Sequence, residues 1–240
     1  MNSPFRYLIG PTGGLAYHAS ALRFRRSLWT PFIDRVDLWL TRDWLPTLDS
    51  RRELIIFGPS AGWTLKESFL RNFDRIICVE PDPIARTLFR SRFKSVNVTF
   101  DRRADLLPWM SSEKKFADFI DTHPQAAILF SNLLGQVPLL LADKQKTPEK
   151  MRAGQSALLK ALSGRAWASY HDLVSSTLPV KTHGIRAWPM ELNELCDEIF
   201  DSEVTGSVTD HETSWLESRA ATLWEIRPGT HHVVGFTCAS

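Results

Sequence analysis

Residues 53–86 read ELIIFGPSAGWTLKESFLRNFDRIICVEPDPIAR, and this stretch decides the fold. Leu54, Ile55, Ile56 and Phe57 form an unbroken apolar run, the pattern of a parallel strand buried on both faces. Gly58-Pro59-Ser60-Ala61-Gly62 cannot prolong that strand, because Pro59 lacks an amide donor and glycine admits dihedrals closed to other residues. From Trp63 to Phe73 the apolar residues Leu65, Phe69, Leu70 and Phe73 recur at helical spacing. Arg75 to Val79 is a second buried strand. Glu80 stands at its carboxyl end, and Pro81-Asp82-Pro83 stops it. Strand, glycine turn, helix, strand and acid make a nucleotide-binding half-unit. Amides at the turn and helix start face the ligand, and a carboxylate about 20 residues on takes a ribose hydroxyl pair.

This stretch resembles the class I S-adenosylmethionine-dependent methyltransferases, as a divergent member. In that family the first strand ends in a Gly-x-Gly-x-Gly-like loop and the second in an acid that binds the ribose. Gly58 and Gly62 match the loop. Ser60 departs from it, and Phe57 stands where the family often has an acid. Val79 to Pro83 matches the second motif closely. The resemblance implies S-adenosylmethionine as cofactor, with Gly58, Pro59, Ser60, Ala61 and Gly62 passing its amino-acid part and Glu80 and Pro81 its ribose. It also implies an α/β, Rossmann-like methyltransferase fold: a mostly parallel seven-stranded sheet, a C-terminal antiparallel hairpin and an N-terminal helical extension. The NAD fingerprint G-x-G-x-x-G is not satisfied, and no Walker A lysine follows the loop.

A chain of 240 residues suffices for one α/β domain with an accessory segment. The 29 basic and 27 acidic residues nearly cancel, which gives no general electrostatic case for nucleic acid. Cys78, Cys196 and Cys238 are widely spaced, with no C-x-x-C, and suggest buried thiols in a reducing compartment. With no signal peptide evident and no apolar run long enough to span a bilayer, the expectation is a cytoplasmic protein without a membrane partner.

Upstream, residues 1–50 read as an extension and 51–240 as the methyltransferase domain. Leu15 to Leu28 has helical spacing through Leu15, Ala19, Leu22 and Leu28, and a second helix runs from about Pro31 to Leu40. Family members commonly carry such helices over the cofactor. Tyr17, His18 and Arg23 are therefore candidates for the substrate wall of a lid, and the alternative is a capping helix with solvated arginines.

Downstream, Ile84 to Phe93 reads as a helix and Val96 to Phe100 as the third strand. In the family an acid after that strand often binds the adenine amino group. Asp105 takes that place, with Ala104 and Leu106 beside it, and Asp101 is the rival. Asp105 also suits the cap of a helix from Leu106 to Glu113. Ala126 to Phe130 is the fourth strand, and it leads into Ser131 and Asn132, where donor and acceptor meet in the family. Ser131-Asn132-Leu133-Leu134 is not the D/N-P-P-Y/F motif of the family's N⁶-adenine and amide methylases, which counts against DNA-adenine methylation. Arg165 to Tyr170 is the fifth strand. His171 follows it, and either takes an acceptor's proton with Asp172 tuning it or is a strand-end polar residue.

Trp188 lies in a loop placed to cover the acceptor. Met190 to Phe200 reads as an acidic helix, and Val204–Trp215, Ala221–Ile226 and Val233–Cys238 as strands, the last two forming a hairpin. Adjacent His231 and His232 point to opposite faces of a strand, so no metal site is expected. Catalytic candidates are thus His171 and Asn132. The function implied is methyl transfer to a small molecule or peptide. The second reading is a methyltransferase-like protein that binds a nucleotide or a partner chain without catalysis.

Overall fold

The computed structural model describes residues 14–49, 52–103, 105–110, 112–141, 146–183 and 191–239. Eight strands form one sheet: β1 Glu53–Phe57, β2 Arg75–Val79, β3 Val98–Asp101, β4 Ala127–Ser131, β5 Trp167–Ser176, β6 Val208–Asp210, β7 Ala220–Arg227 and β8 Thr230–Ala239. Their order is β3-β2-β1-β4-β5-β8-β7. The first five are mutually parallel; β8 runs antiparallel to β5, and β7 antiparallel to β8. This is the Rossmann-like methyltransferase arrangement with its closing hairpin. The expected seven strands are joined by an eighth, the three-residue β6, which pairs with the far end of β5. The long strand expected over Val204–Trp215 shrinks to β6 and a 3₁₀ turn at Ser214–Leu216.

The helices are α1 Gly14–Phe24, α2 Thr30–Trp39, α3 Glu67–Leu70, α4 Pro83–Arg92, α5 Glu113–Asp121, α6 Val137–Leu140, α7 Pro148–Leu162 and α8 Leu192–Ile199. The central strands alternate between two cores. Leu54, Ile56, Ile76, Cys78, Leu129 and Tyr170 face α2 and the Trp29–Trp44 segment. Ile55, Phe57, Ile77, Ile128 and Phe130 face α5 and α7. Such runs are apolar throughout because both faces are covered.

The N-terminal helices share the first core with the strands. Phe32 stacks on Trp224 of β7 at 4.5 Å, Trp29 meets the same indole edge-on at 4.9 Å, and Trp29 Nε1 donates to the Ile226 carbonyl at 2.8 Å. Each aromatic pair adds about 0.5–1.5 kcal/mol beyond its burial.

Three expectations are corrected. The helix after the glycine loop begins only at Glu67, because residues 62–65 are pinned in a turn. Leu65 donates to the Gly62 carbonyl, Trp63 bonds His18 and Arg25, and Thr64 bonds Tyr170. Helix α1 ends at Phe24 rather than Leu28; it buries His18 and Ala21, with Tyr17 half-buried, while Leu15 and Leu22 are 60% and 68% exposed. Its polar bonds, rather than its leucines, set its rotation. The expected helix from Leu106 is absent among the described residues 106–110 and 112; Leu106, Leu107 and Trp109 pack into the second core, and the helix begins only at Glu113. Among the described residues no helix is long and apolar enough to cross a membrane.

Candidate active site

The carboxyl ends of β1, β2, β4 and β5 converge on one edge. There the chain leaves β1 through Gly58, Ser60 and Gly62, all with φ between 51° and 67°. Glycine takes this left-handed conformation freely; Ser60 does so at a cost. Glu80 holds the strained residue in place. Its Oε2 accepts from the Ser60 amide at 2.9 Å and its Oε1 from the Asp82 amide at 2.9 Å. The side chain is almost fully buried, and burial raises its pKa to about 7 against the pull of those two amides. Pro59 and Ala61 are buried in the loop and Pro81 is half-buried. The Ala61 carbonyl accepts from Arg92, whose guanidinium lies 4.4 Å over the Trp63 ring. Burial, with Arg25 nearby, lowers the Arg92 pKa to about 10.

Helix α1 crosses this edge. Trp63 Nε1 donates to His18 Nδ1 at 3.0 Å, so the His18 proton sits on Nε2, which faces Asp82 Oδ2 at 3.3 Å. Asp82 Oδ1 caps α4 by accepting from the Ile84 amide. Burial alone would raise the Asp82 pKa; the bonds from His18 and Ile84 bring it below the ordinary value. The Tyr17 hydroxyl is pushed far up by burial and by Tyr170, Asp172 and Glu80 around it. Tyr17 and His18 therefore stand over the strand ends. Arg23 does not: it is exposed, with its guanidinium over the neighbouring Phe24 ring.

A second polar group lies at the ends of β4 and β5. The Tyr170 hydroxyl bonds Thr64 Oγ1 at 2.7 Å and also meets Ser131 Oγ. Asn132, with φ of 50°, receives the Asp172 amide on Oδ1 at 3.0 Å and donates Nδ2 to Asp172 Oδ2 at 3.2 Å. Gln136 Nε2 donates to the same oxygen. His171, the expected proton acceptor, is on the other face of β5. Its Nδ1 and Nε2 bond Ser169 and Ser218, each at 3.0 Å. Fully buried, it has its pKa lowered by desolvation to about 3. That placement removes it from proton transfer at the edge.

Asp105 pairs with Lys115 at 2.8 Å on the surface, and Leu106 points into the second core. The rival Asp101 is held by Arg103. Ala104 and Trp188 lie outside the described residues. His231 and His232 diverge as expected: His231 lies 3.8 Å from Glu225, while His232 Nδ1 lies 3.0 Å from Asp172 Oδ1. His211 joins the latter pair. The metal-ligating atoms of Asp172, His211 and His232 lie within 4.8 Å of one another. No local sequence signal ties these three together, since they come from β5, the segment after β6, and β8.

No family model matches this chain, and no curated protein matches it. Among solved structures it is similar to the N-methyltransferase NodS from Bradyrhizobium japonicum WM9 in complex with S-adenosyl-L-homocysteine. Identity is 14% over 92% of this chain and 95% of that one, with a TM-score of 0.46. It is also similar to magnesium protoporphyrin IX methyltransferase (ChlM) from Synechocystis PCC 6803 with the same ligand, at 12% identity over 99% and 93% and a TM-score of 0.45. A third is a SAM-dependent methyltransferase from Anabaena variabilis ATCC 29413, at 15% identity over 92% and 93% and a TM-score of 0.43. At this distance the likeness carries no functional argument, and the fold stands on the strand order and register.

Proposed function

We propose that this chain transfers the methyl group of S-adenosylmethionine to a nucleophilic atom of a small-molecule or peptide acceptor. The observation that carries the reading is Glu80. It is a buried carboxylate at the end of β2, tied to the glycine loop through the Ser60 amide, in a sheet whose strand order reverses beside β1. Open α/β sheets take ligands at such a switch point, outside the carboxyl ends of their strands. Each Glu80 oxygen accepts one amide and keeps a further lone pair, so two ribose hydroxyls can donate to it without displacing the loop.

In this reading Gly58 to Gly62 pass the donor's amino-acid end, and Ser131 and Asn132 border the reacting centre. Asp105, flanked by Ala104 and Leu106, reaches the adenine by leaving Lys115. Once bound, the cofactor supplies a methyl carbon on a positive sulfur. The protein's task is then to hold the acceptor in line behind that carbon and keep water away. Residues 14–48 act as the lid, with Tyr17 and His18 on the acceptor side, and Trp188 remains a further candidate for contact with the acceptor. Arg23 lies outside that wall.

Two features favour the second reading, a non-catalytic nucleotide- or partner-binding protein. The loop amide of Ser60 is already bonded to Glu80, and no helix start stands behind Gly62. Calorimetric titration with S-adenosylmethionine, S-adenosylhomocysteine and NAD separates the readings. Binding of the first two alone, lost in Glu80→Ala, together with transfer of labelled methyl to an acceptor, supports the enzyme. Binding without transfer across small-molecule and peptide acceptors favours the second reading, and absence of binding overturns the cofactor assignment.

A further inference from the structure

We propose that Asp172, His211 and His232 form a binding site for one divalent transition-metal ion, of which Zn²⁺ is the simplest fit. The proposal does not depend on methyl transfer. Three segments supply the ligands: β5, the turn after β6, and β8. Asp172 is fully buried, and its two oxygens have different surroundings. Oδ2 receives the side-chain amides of Asn132 and Gln136. Oδ1 is buried and has no hydrogen-bond partner among the described residues. His232 Nδ1, 3.0 Å away, is likewise buried and makes no aligned hydrogen bond among the described residues.

With the His232 proton on Nε2, its Nδ1 and Asp172 Oδ1 present two facing lone pairs in a buried site, which a cation between them would satisfy. Two donors of a tetrahedral zinc ion stand roughly 3.3 Å apart, close to this separation.

His211 is oriented as a metal ligand is. Its Nδ1 lies 2.8 Å from the Gly135 carbonyl, which can only accept, so the proton is on Nδ1 and the lone pair on Nε2. An imidazole N–H fixed on a carbonyl is the usual outer support of a ligating histidine. The hydroxyl of Ser175, 3.0 Å from Nε2, caps that lone pair and can rotate away. The amides of Asn132 and Gln136 play the same supporting part for the carboxylate. Two imidazoles and one carboxylate suit Zn²⁺, Mn²⁺, Fe²⁺ or Co²⁺ rather than Mg²⁺ or Ca²⁺, which prefer all-oxygen shells. Three protein ligands leave a fourth position open. His232, whose side chain is 14% exposed, marks the side from which an ion or a further ligand enters.

The test uses the untagged full chain, stripped with chelator and titrated with Zn²⁺ and, separately, Co²⁺. The expected result is one ion per chain, a raised melting temperature, and cobalt visible bands of a nitrogen- and oxygen-ligated ion. His232→Ala and His211→Gln each weaken binding by at least about a hundredfold, whereas His231→Ala leaves it within about twofold. Should a variant unfold, the wild-type cobalt spectrum and the coordination number from X-ray absorption decide alone. Failure of the folded wild type to bind either ion at millimolar concentration overturns the proposal. So does binding that both His232→Ala and His211→Gln leave intact.

Discussion

If Glu80 holds the ribose, cofactor affinity must depend on pH in a calculable way. The ribose hydroxyls donate to an ionised carboxylate, whereas burial places the Glu80 pKa at about 7 in the free protein. Binding below that pH must therefore expel a proton. With the protonated share set by a pKa of about 7, the binding constant falls by 1 + 10^(7−pH) relative to its plateau. Between pH 8 and pH 6 that is about a tenfold loss, or about 1.4 kcal/mol. The proton released on binding rises from about 0.1 per chain at pH 8 to about 0.9 at pH 6. The ligand to use is 5′-methylthioadenosine, which has the ribose and base but no amino acid to titrate. Calorimetry in two buffers of different ionisation heat reads the affinity and the proton count together. His171, with its pKa near 3, contributes nothing in this window. Glu80→Gln abolishes the slope along with most of the affinity. An affinity that is flat from pH 6 to 8, or a slope that survives in Glu80→Gln, refutes the assignment of Glu80 to the ribose.

Without ligand the same group lowers stability as pH rises. Between the unfolded value of 4.5 and the folded value of about 7, the folded chain keeps a proton that the unfolded chain has lost. Wild-type stability relative to Glu80→Gln therefore drops by about 3 kcal/mol across that window, as read by urea denaturation. Tyr170→Phe leaves Thr64 Oγ1 and Ser131 Oγ without the phenol and costs about 1–3 kcal/mol, visible in the urea midpoint at unchanged slope. Gly154→Ala gains about 1 kcal/mol of helix propensity in α7, but its new carbon falls 2.3 Å from the Trp109 indole. Overpacking of about 1–3 kcal/mol prevails, so thermal melting shows a net loss, and a gain would show that Trp109 yields freely.

The parallel half of the fold was legible because covering both faces of a strand leaves a plain trace. Leu54 to Phe57, Ile76 to Val79 and Ala127 to Phe130 are apolar without interruption. The length of β5 was not legible. His171, Asp172, Ser175 and Ser176 look like a strand end, yet each is absorbed by a hydrogen-bond partner from elsewhere in the chain or by β-pairing. The helix expected from Trp63 failed for a related reason: apolar spacing cannot reveal that Trp63 and Thr64 are bonded to His18 and Tyr170. Within the site, Glu80 and Ser60 could be found through their spacing. The rotation of α1 was not legible from spacing alone, because His18 rather than Leu15 and Leu22 supplies its anchoring contacts. The trio of Asp172, His211 and His232 has no sequence signature at all, because β6 and the hairpin bring its members together.

The clasp between Trp29 and the Ile226 carbonyl joins residues 197 positions apart. During synthesis Trp29 and Phe32 leave the ribosome long before Trp224 exists. At about 5–20 residues per second, their aromatic faces wait roughly 10–40 s for a partner. Throughout that interval the nascent chain presents an uncovered tryptophan and phenylalanine surface to whatever chaperone is nearby.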